Sequence, residues 1–226
     1  MSVTKNSELT KKNIIFAAQK LFAEKGFEGV SLREITAEAG ANVAAVNYHF
    51  GNKEQLVDEV IVLHVLPVIE ERMRLLDIAR QEFKDEAVPV GIILNAFIRP
   101  FLTVMTDSGQ SKALFCKLSG RCMSDRGGDL PDKAVDEFVS MLKGFTQVLE
   151  ETIPHLPSKV LLWRLHFSFG VMAHTLMYEE RFFEITKGGC GKPDLETTLQ
   201  RMIDFCQGGL LAENTPVANM KGGDSA

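Results

Sequence analysis

The stretch from Ser31 to Glu54, SLREITAEAGANVAAVNYHFGNKE, limits what this chain can fold into more than any other. Ser31 followed three residues later by Glu34 is the pattern of a capping box, so a helix is predicted to start at Leu32. Leu32, Ile35 and Ala39 recur at i, i+3 and i+7 and give that short helix one apolar face. Gly40 falls where the helix must stop and the chain must turn, which favours a residue tolerant of positive φ. Asn42 is placed to cap a second helix, with Val43, Val46 and Phe50 as its apolar stripe. Two short helices joined by a glycine turn form a helix-turn-helix, whose second helix meets a DNA major groove.

Charge tests that reading. The net charge of −5 is unevenly spread: residues 1–54 carry seven Lys and Arg against six Asp and Glu, the remainder eighteen against twenty-four. From Ala39 to Asn52 no side chain is formally charged. Such a recognition helix has no arginine fork for guanine. It would read bases through Asn42 or Asn47, through Val43, Ala44 or Ala45 against thymine methyls, and through DNA shape. Phosphates would be held by Ser31, Tyr48, His49, Lys53 and helix N-terminal amides, while Val46 and Phe50 are expected inside.

Upstream, Ile14, Ala17, Ala18, Leu21 and Phe22 form the i, i+3, i+4, i+7, i+8 face of a first helix, with Thr10 as its expected cap and Gly26 as its end. The order is helix, Gly-Phe, capped short helix, Ala-Gly turn, Tyr-His-Phe, Lys-Glu. Within it, the run from Val46 to Glu54 resembles the segment that closes the DNA-binding domain of TetR-family repressors. The resemblance continues without a gap over residues 1–55. It implies an all-α chain, with a three-helix helix-turn-helix DNA-binding domain over 1–55 and a helical ligand-binding and dimerisation domain over 56–212. It also implies a homodimer on a palindromic double-stranded DNA operator, released by a small hydrophobic effector. Residues 44–51, Pro154-His155-Leu156-Pro157 and Trp163-Arg164-Leu165-His166-Phe167 are similar to the PsrA-type branch, whose members respond to fatty acids. That similarity implies a long-chain fatty acid or acyl-CoA as effector. The alternative is a lipophilic aromatic compound, as in relatives that control drug efflux.

Past Lys53 the apolar periodicity is helical throughout. A helix over 54–66 is expected to kink or restart at Pro67, followed by an amphipathic, Glu- and Arg-rich helix over 69–83. Residues 88–105 are apolar almost all round and predict a central helix bent at Pro100. Further helices are predicted over 110–123, from Pro131 to Thr152, and over 157–187 and 194–211, with a Gly-Gly-Asp loop at 127–129 and a flexible tail over 213–226. Gly170 lies inside an apolar helix, which suggests close approach of another helix, and the last two helices are expected to form half of a dimer interface.

Ile92, Phe97, Phe101, Phe115, Trp163 and Phe167 offer apolar surface for a ligand tunnel, with Arg121, Arg164 and His166 as candidate anchors for an acid or thioester end. No G-x-S-x-G elbow, phosphate loop or metal motif is present, and the four cysteines form no C-x-x-C pair, so no enzyme, cofactor or metal is expected. The N-terminus opens polar and charged, and the most apolar long stretch, 157–178, holds Lys159 and Arg164. A cytoplasmic protein without membrane association is the expectation.

Overall fold

A computed structural model of the chain describes residues 2–107, 112–125, 129–192 and 194–213. Among these residues every regular element is a helix: α1 (Ser2–Lys25), α2 (Leu32–Ala39), α3 (Val43–Phe50), α4 (Lys53–Glu82), α5 (Val90–Asp107), α6 (Lys112–Ser124), α7 (Asp132–Thr152), α8 (Ser158–Ile185) and α9 (Leu195–Leu211). The tail from residue 214 onward and most of the expected Gly-Gly-Asp loop lie outside the described residues.

Two hydrophobic cores organise these helices. The first joins Ile14, Ala18 and Phe22 of α1 to Ile35, Val46 and Phe50, and to Leu56 and Val60 at the start of α4. The second gathers Ile69 and Leu76 of α4 with Phe97 and Phe101 of α5, Phe145 of α7, Leu161 and Met172 of α8, and Met202 and Ile203 of α9. One helix, α4, therefore runs through both. Helix α6 also serves both: Phe115 packs in the second core, whereas Leu118 and Cys122 pack in the first.

Of the two outcomes expected at Pro67, a kink or a restart, the restart does not occur: α4 runs unbroken from Lys53 to Glu82. A proline costs about 3 kcal/mol inside a helix, but packing can outweigh that. Val60, Ile61 and His64 before it and Val68, Ile69 and Arg72 after it are all buried, so packing on both sides keeps the chain helical across the proline. The carbonyl deprived of its partner is that of Leu63, on an exposed residue where water can serve. Helix α5 likewise continues through Pro100. At the other end of the chain, Thr10 is no cap: α1 starts at Ser2, and the Thr10 hydroxyl donates to the Asn6 carbonyl within the helix.

Where the two cores meet, His64 of α4 is buried against α6. Its Nε2 lies 2.9 Å from Ser119 Oγ, and its ring lies 4.3 Å from that of Phe115. Burial pushes its pKa down from 6.5 to about 4. The unfolded chain takes up this proton near pH 6.5 and the folded chain only near pH 4, so the neutral ring's contribution is complete above pH 6.5. It is lost as the pH falls toward 4. The loss should be on the order of 3 kcal/mol. Denaturant unfolding at a series of pH values should show this slope in the wild type. His64→Gln, which can still bond Ser119, should flatten it, and an equal slope in both proteins would contradict the assignment.

Candidate nucleic-acid interface

The geometry of α2 and α3 follows from four local devices. Ser31 caps α2: its hydroxyl accepts from the Glu34 amide at 3.3 Å, while the Glu34 carboxylate accepts from the Ser31 amide at 2.9 Å. Lys25 donates to the same carboxylate at 2.7 Å and, together with the Ser31 bonds, holds its pKa down at about 2. Gly40 ends α2 at φ 62°, in the left-handed region that a side chain would strain. Asn42 then caps α3, its Oδ1 accepting from the Ala45 amide at 2.8 Å. Gly51, at φ 85°, closes α3.

These devices rotate α3 so that Val46 and Phe50 are buried. The opposite face carries Val43, Ala44, Asn47 and Tyr48, all exposed, with Tyr48 at 80%. Ala45 and His49 are half-buried at its margin, and the His49 ring sits edge-on to Tyr48 at 5.0 Å. The face is exposed and carries no formal charge, with a ring hydroxyl and an amide as its most prominent polar groups.

Several expected contacts are already partly engaged. The Asn42 carbonyl oxygen is committed to its cap, which leaves its amide nitrogen as the group for a base or phosphate. The Ser31 hydroxyl donates to Glu34 at 2.9 Å, so a phosphate would have to take over that proton. Lys53 lies 3.9 Å from the fully exposed Glu28, a distance at which solvent screens most of the attraction and leaves the ammonium available. One set of groups was missed in the sequence. Asn6, Ser7 and Thr10 of α1 line a cleft of about 500 Å³ with Asn42, Ala44, Ala45, Tyr48 and His49. Nothing in the spacing of these three residues marked them, because α1 was expected to begin at Thr10.

The expected ligand residues are not brought together. Phe97, Phe101 and Phe115 do meet in the second core, with Phe101 and Phe115 rings 5.2 Å apart. Trp163, His166 and Phe167 instead lie on the outer face of α8, Trp163 and Phe167 being 62% and 60% exposed. The reason is the helical period: Leu161, Leu165, Ser168, Met172 and Leu176 point inward, which rotates Trp163 and Phe167 away. Arg121 reaches the first core's edge, donating to the Glu24 carbonyl at 3.3 Å and pairing with Asp125 at 3.5 Å. Asp125 in turn accepts from the Phe27 amide at 3.2 Å. Arg164 donates to the carbonyls of Leu210 and Ala212 at the end of α9. Ile92 lines an open groove of about 460 Å³ between α5 and α9, crossed by the Arg99–Glu196 ion pair.

Among the described residues, no cluster of His, Cys, Asp and Glu could hold a metal ion, and no helix is long and apolar enough to cross a membrane.

Known proteins share both halves of this arrangement. The HTH-type transcriptional dual regulator CecR of Shigella flexneri is 46% identical over 55 residues, 24% of each chain. The HTH-type transcriptional repressor NicS of Pseudomonas putida is 28% identical over 117 residues, 50% of this chain and 54% of that one. The matched segments thus span from about a quarter to about half of these relatives. The crystal structure of the TetR family transcriptional regulator PfmR from Thermus thermophilus superposes with a TM-score of 0.59, covering 91% of this chain and 98% of that one. Its identity is 15%, so the likeness is one of fold. The family model of bacterial regulatory proteins, tetR family, matches residues 14–60, and that of the tetracyclin repressor-like C-terminal domain matches residues 95–209. With both halves matched in order, the chain belongs to the TetR family, whose members are DNA-binding transcriptional regulators rather than enzymes.

Proposed function

We propose that this chain is a cytoplasmic, homodimeric repressor that binds a palindromic operator and is released by a small apolar ligand. The observation that carries the DNA half is the free face of α3. Tyr48, Asn47, Ala44 and Val43 stand out while Val46 and Phe50 anchor the helix from behind. Asn47 reads a base edge, the alanines and Val43 meet thymine methyls, and Tyr48, His49, Lys53 and Ser31 hold phosphates. Asn6, Ser7 and Thr10 add a polar flank on the same side.

A second exposed face supports the dimer. Trp163, Phe167 and Tyr178 of α8 and Phe205 of α9 are exposed aromatics. Gly170, Gly208 and Gly209 are open, with nothing within 4 Å of where a Cβ would stand. Aromatic knobs beside bare backbone suit the same surface of a second copy, and two heads are needed to read two half-sites.

For the effector, the apolar interior around Phe97, Phe101 and Phe115 is the reading's support, with a long-chain fatty acid or acyl-CoA as the favoured class and a lipophilic aromatic compound as the second. Binding regulates only to the extent that it favours one domain arrangement over another. Helix α6 supplies the connection: a ligand that displaces Phe115 moves the helix whose Leu118 and Cys122 pack in the reading head.

Electrophoretic mobility shift on the DNA upstream of the protein's own gene tests the DNA half. Tyr48→Phe and Lys53→Ala should weaken binding on all sequences. Asn47→Ala should cost about 1–3 kcal/mol on the operator and little on random DNA. Equal loss on both would contradict its reading role. Light scattering tests the assembly: Phe167→Glu should convert a dimer to a folded monomer without operator affinity, and a monomeric wild type at micromolar concentration would overturn the dimer.

A further inference from the structure

Arg72 is the outlier of the second core. It lies on the inward face of α4, one turn from Val68 and one turn from Leu76, and is 2% exposed. Its Nε donates to the Phe97 carbonyl at 2.7 Å, and the Phe97 ring lies 4.3 Å from the guanidinium carbon. The two terminal nitrogens meet only sulfur: Nη1 lies 3.8 Å from Met141 Sδ, and Nη2 lies 3.4 Å from Met172 Sδ. No ion pair to Arg72 occurs among the described residues, whereas Arg99 pairs with Glu196 through Nη1 and Nη2, and Arg74 with Glu71 through Nε and Nη2. Burial without a counter-charge depresses its pKa to about 9.

A buried cation is retained at high desolvation cost unless an anion or strong acceptors face it. Thioether sulfur is a weak acceptor and a ring face a partial one, so this site is under-satisfied on the side of the fork. That edge is the one that matches a carboxylate, with two parallel N–H donors. What fills it, Met141 and Met172, is the side-chain type that moves aside most easily. On α7, Thr146 Oγ1 is buried with no hydrogen-bond partner at all.

We propose that Arg72 is the anchor for the effector's carboxylate. The acid head takes the place of the two methionine sulfurs at Nη1 and Nη2, and its apolar body lies among Phe97, Phe101 and Phe145. This rests on the apolar-effector reading above and narrows it to a free acid rather than a thioester or a neutral aromatic compound. It also moves the anchor from Arg121 and Arg164, whose guanidinium groups hold backbone carbonyls, to a residue masked by its place in a charged stretch.

The test uses the full chain with dodecanoate and hexadecanoate against their methyl esters, below micelle concentration, in isothermal titration. The wild type should bind each acid about tenfold tighter than its ester, a charge-assisted bidentate contact being at stake. Arg72→Met should bind acid and ester alike, and Arg72→Lys should retain part of the preference. Ligand-free Arg72→Met should also unfold at a higher temperature than the wild type, since an unmatched charge leaves the core. A wild type that binds acids and esters equally, or an Arg72→Met protein that keeps the preference, overturns the Arg72 assignment while leaving the apolar effector standing. If neither acids nor esters bind the wild type, the apolar-effector reading fails and the proposal with it. Should Arg72→Met not fold, the acid-against-ester comparison in the wild type and in Arg72→Lys decides alone.

Discussion

The two cores of this molecule are joined by α4, which runs through both, and by α6, which packs in both at once. Within one short helix, Phe115 packs with Phe101 in the large core, and Leu118 and Cys122 close the small one from below. The His64–Ser119 contact lies between them, and the Arg121–Glu24 and Asp125–Phe27 bonds extend the seam to the loop between α1 and α2. A reading head of three helices is too small to bury a large fraction of its surface alone. Borrowing Leu118 and Cys122 completes it, and the same loan makes the head sensitive to the body. Helices α4 and α6 are thus the two elements that tie the head to the body.

The chemistry of the DNA-facing surface is consistent with that economy. Helix α3 carries no formal charge, so in the proposed complex its own contacts would be shape, a few hydrogen bonds and helix-end amides, with Lys53 beside it as a cation for phosphate. In the proposed dimer, affinity of that kind would fall when the two heads shift relative to successive major grooves, because little sequence-independent attraction compensates. Under the proposed function, a rearrangement at α6 that shifts the heads would lower that affinity.

What was legible in the sequence was local. Ser31, Glu34, Gly40 and Asn42 specify α2, the turn and α3 through bonds made within a few residues, and each is found where the pattern put it. Longer-range balances were not legible. Pro67 is a helix breaker by propensity, yet the buried neighbours on either side carry α4 through it. Trp163 and Phe167 are apolar enough for an interior, but only the phase of α8 against α7 and α9 shows that they face out. Arg72 sits in the run EERMRLLDIARQE, where charges at helical spacing suggest a solvated face. Its burial depends on which side of α4 the remaining helices cover, and no local signal encodes that.

The coupling through α6 is tested most directly by hydrogen exchange followed segment by segment in the wild type and in Phe115→Ala. Phe115 lies in the large core and is 3% exposed, so its truncation loosens α6 from the body's side without touching the reading head. Faster exchange in α1–α3 as well as in α5 and α6 is the result predicted by a shared helix. Acceleration confined to α5, α6 and α7, with α1–α3 as protected as in the wild type, would contradict it.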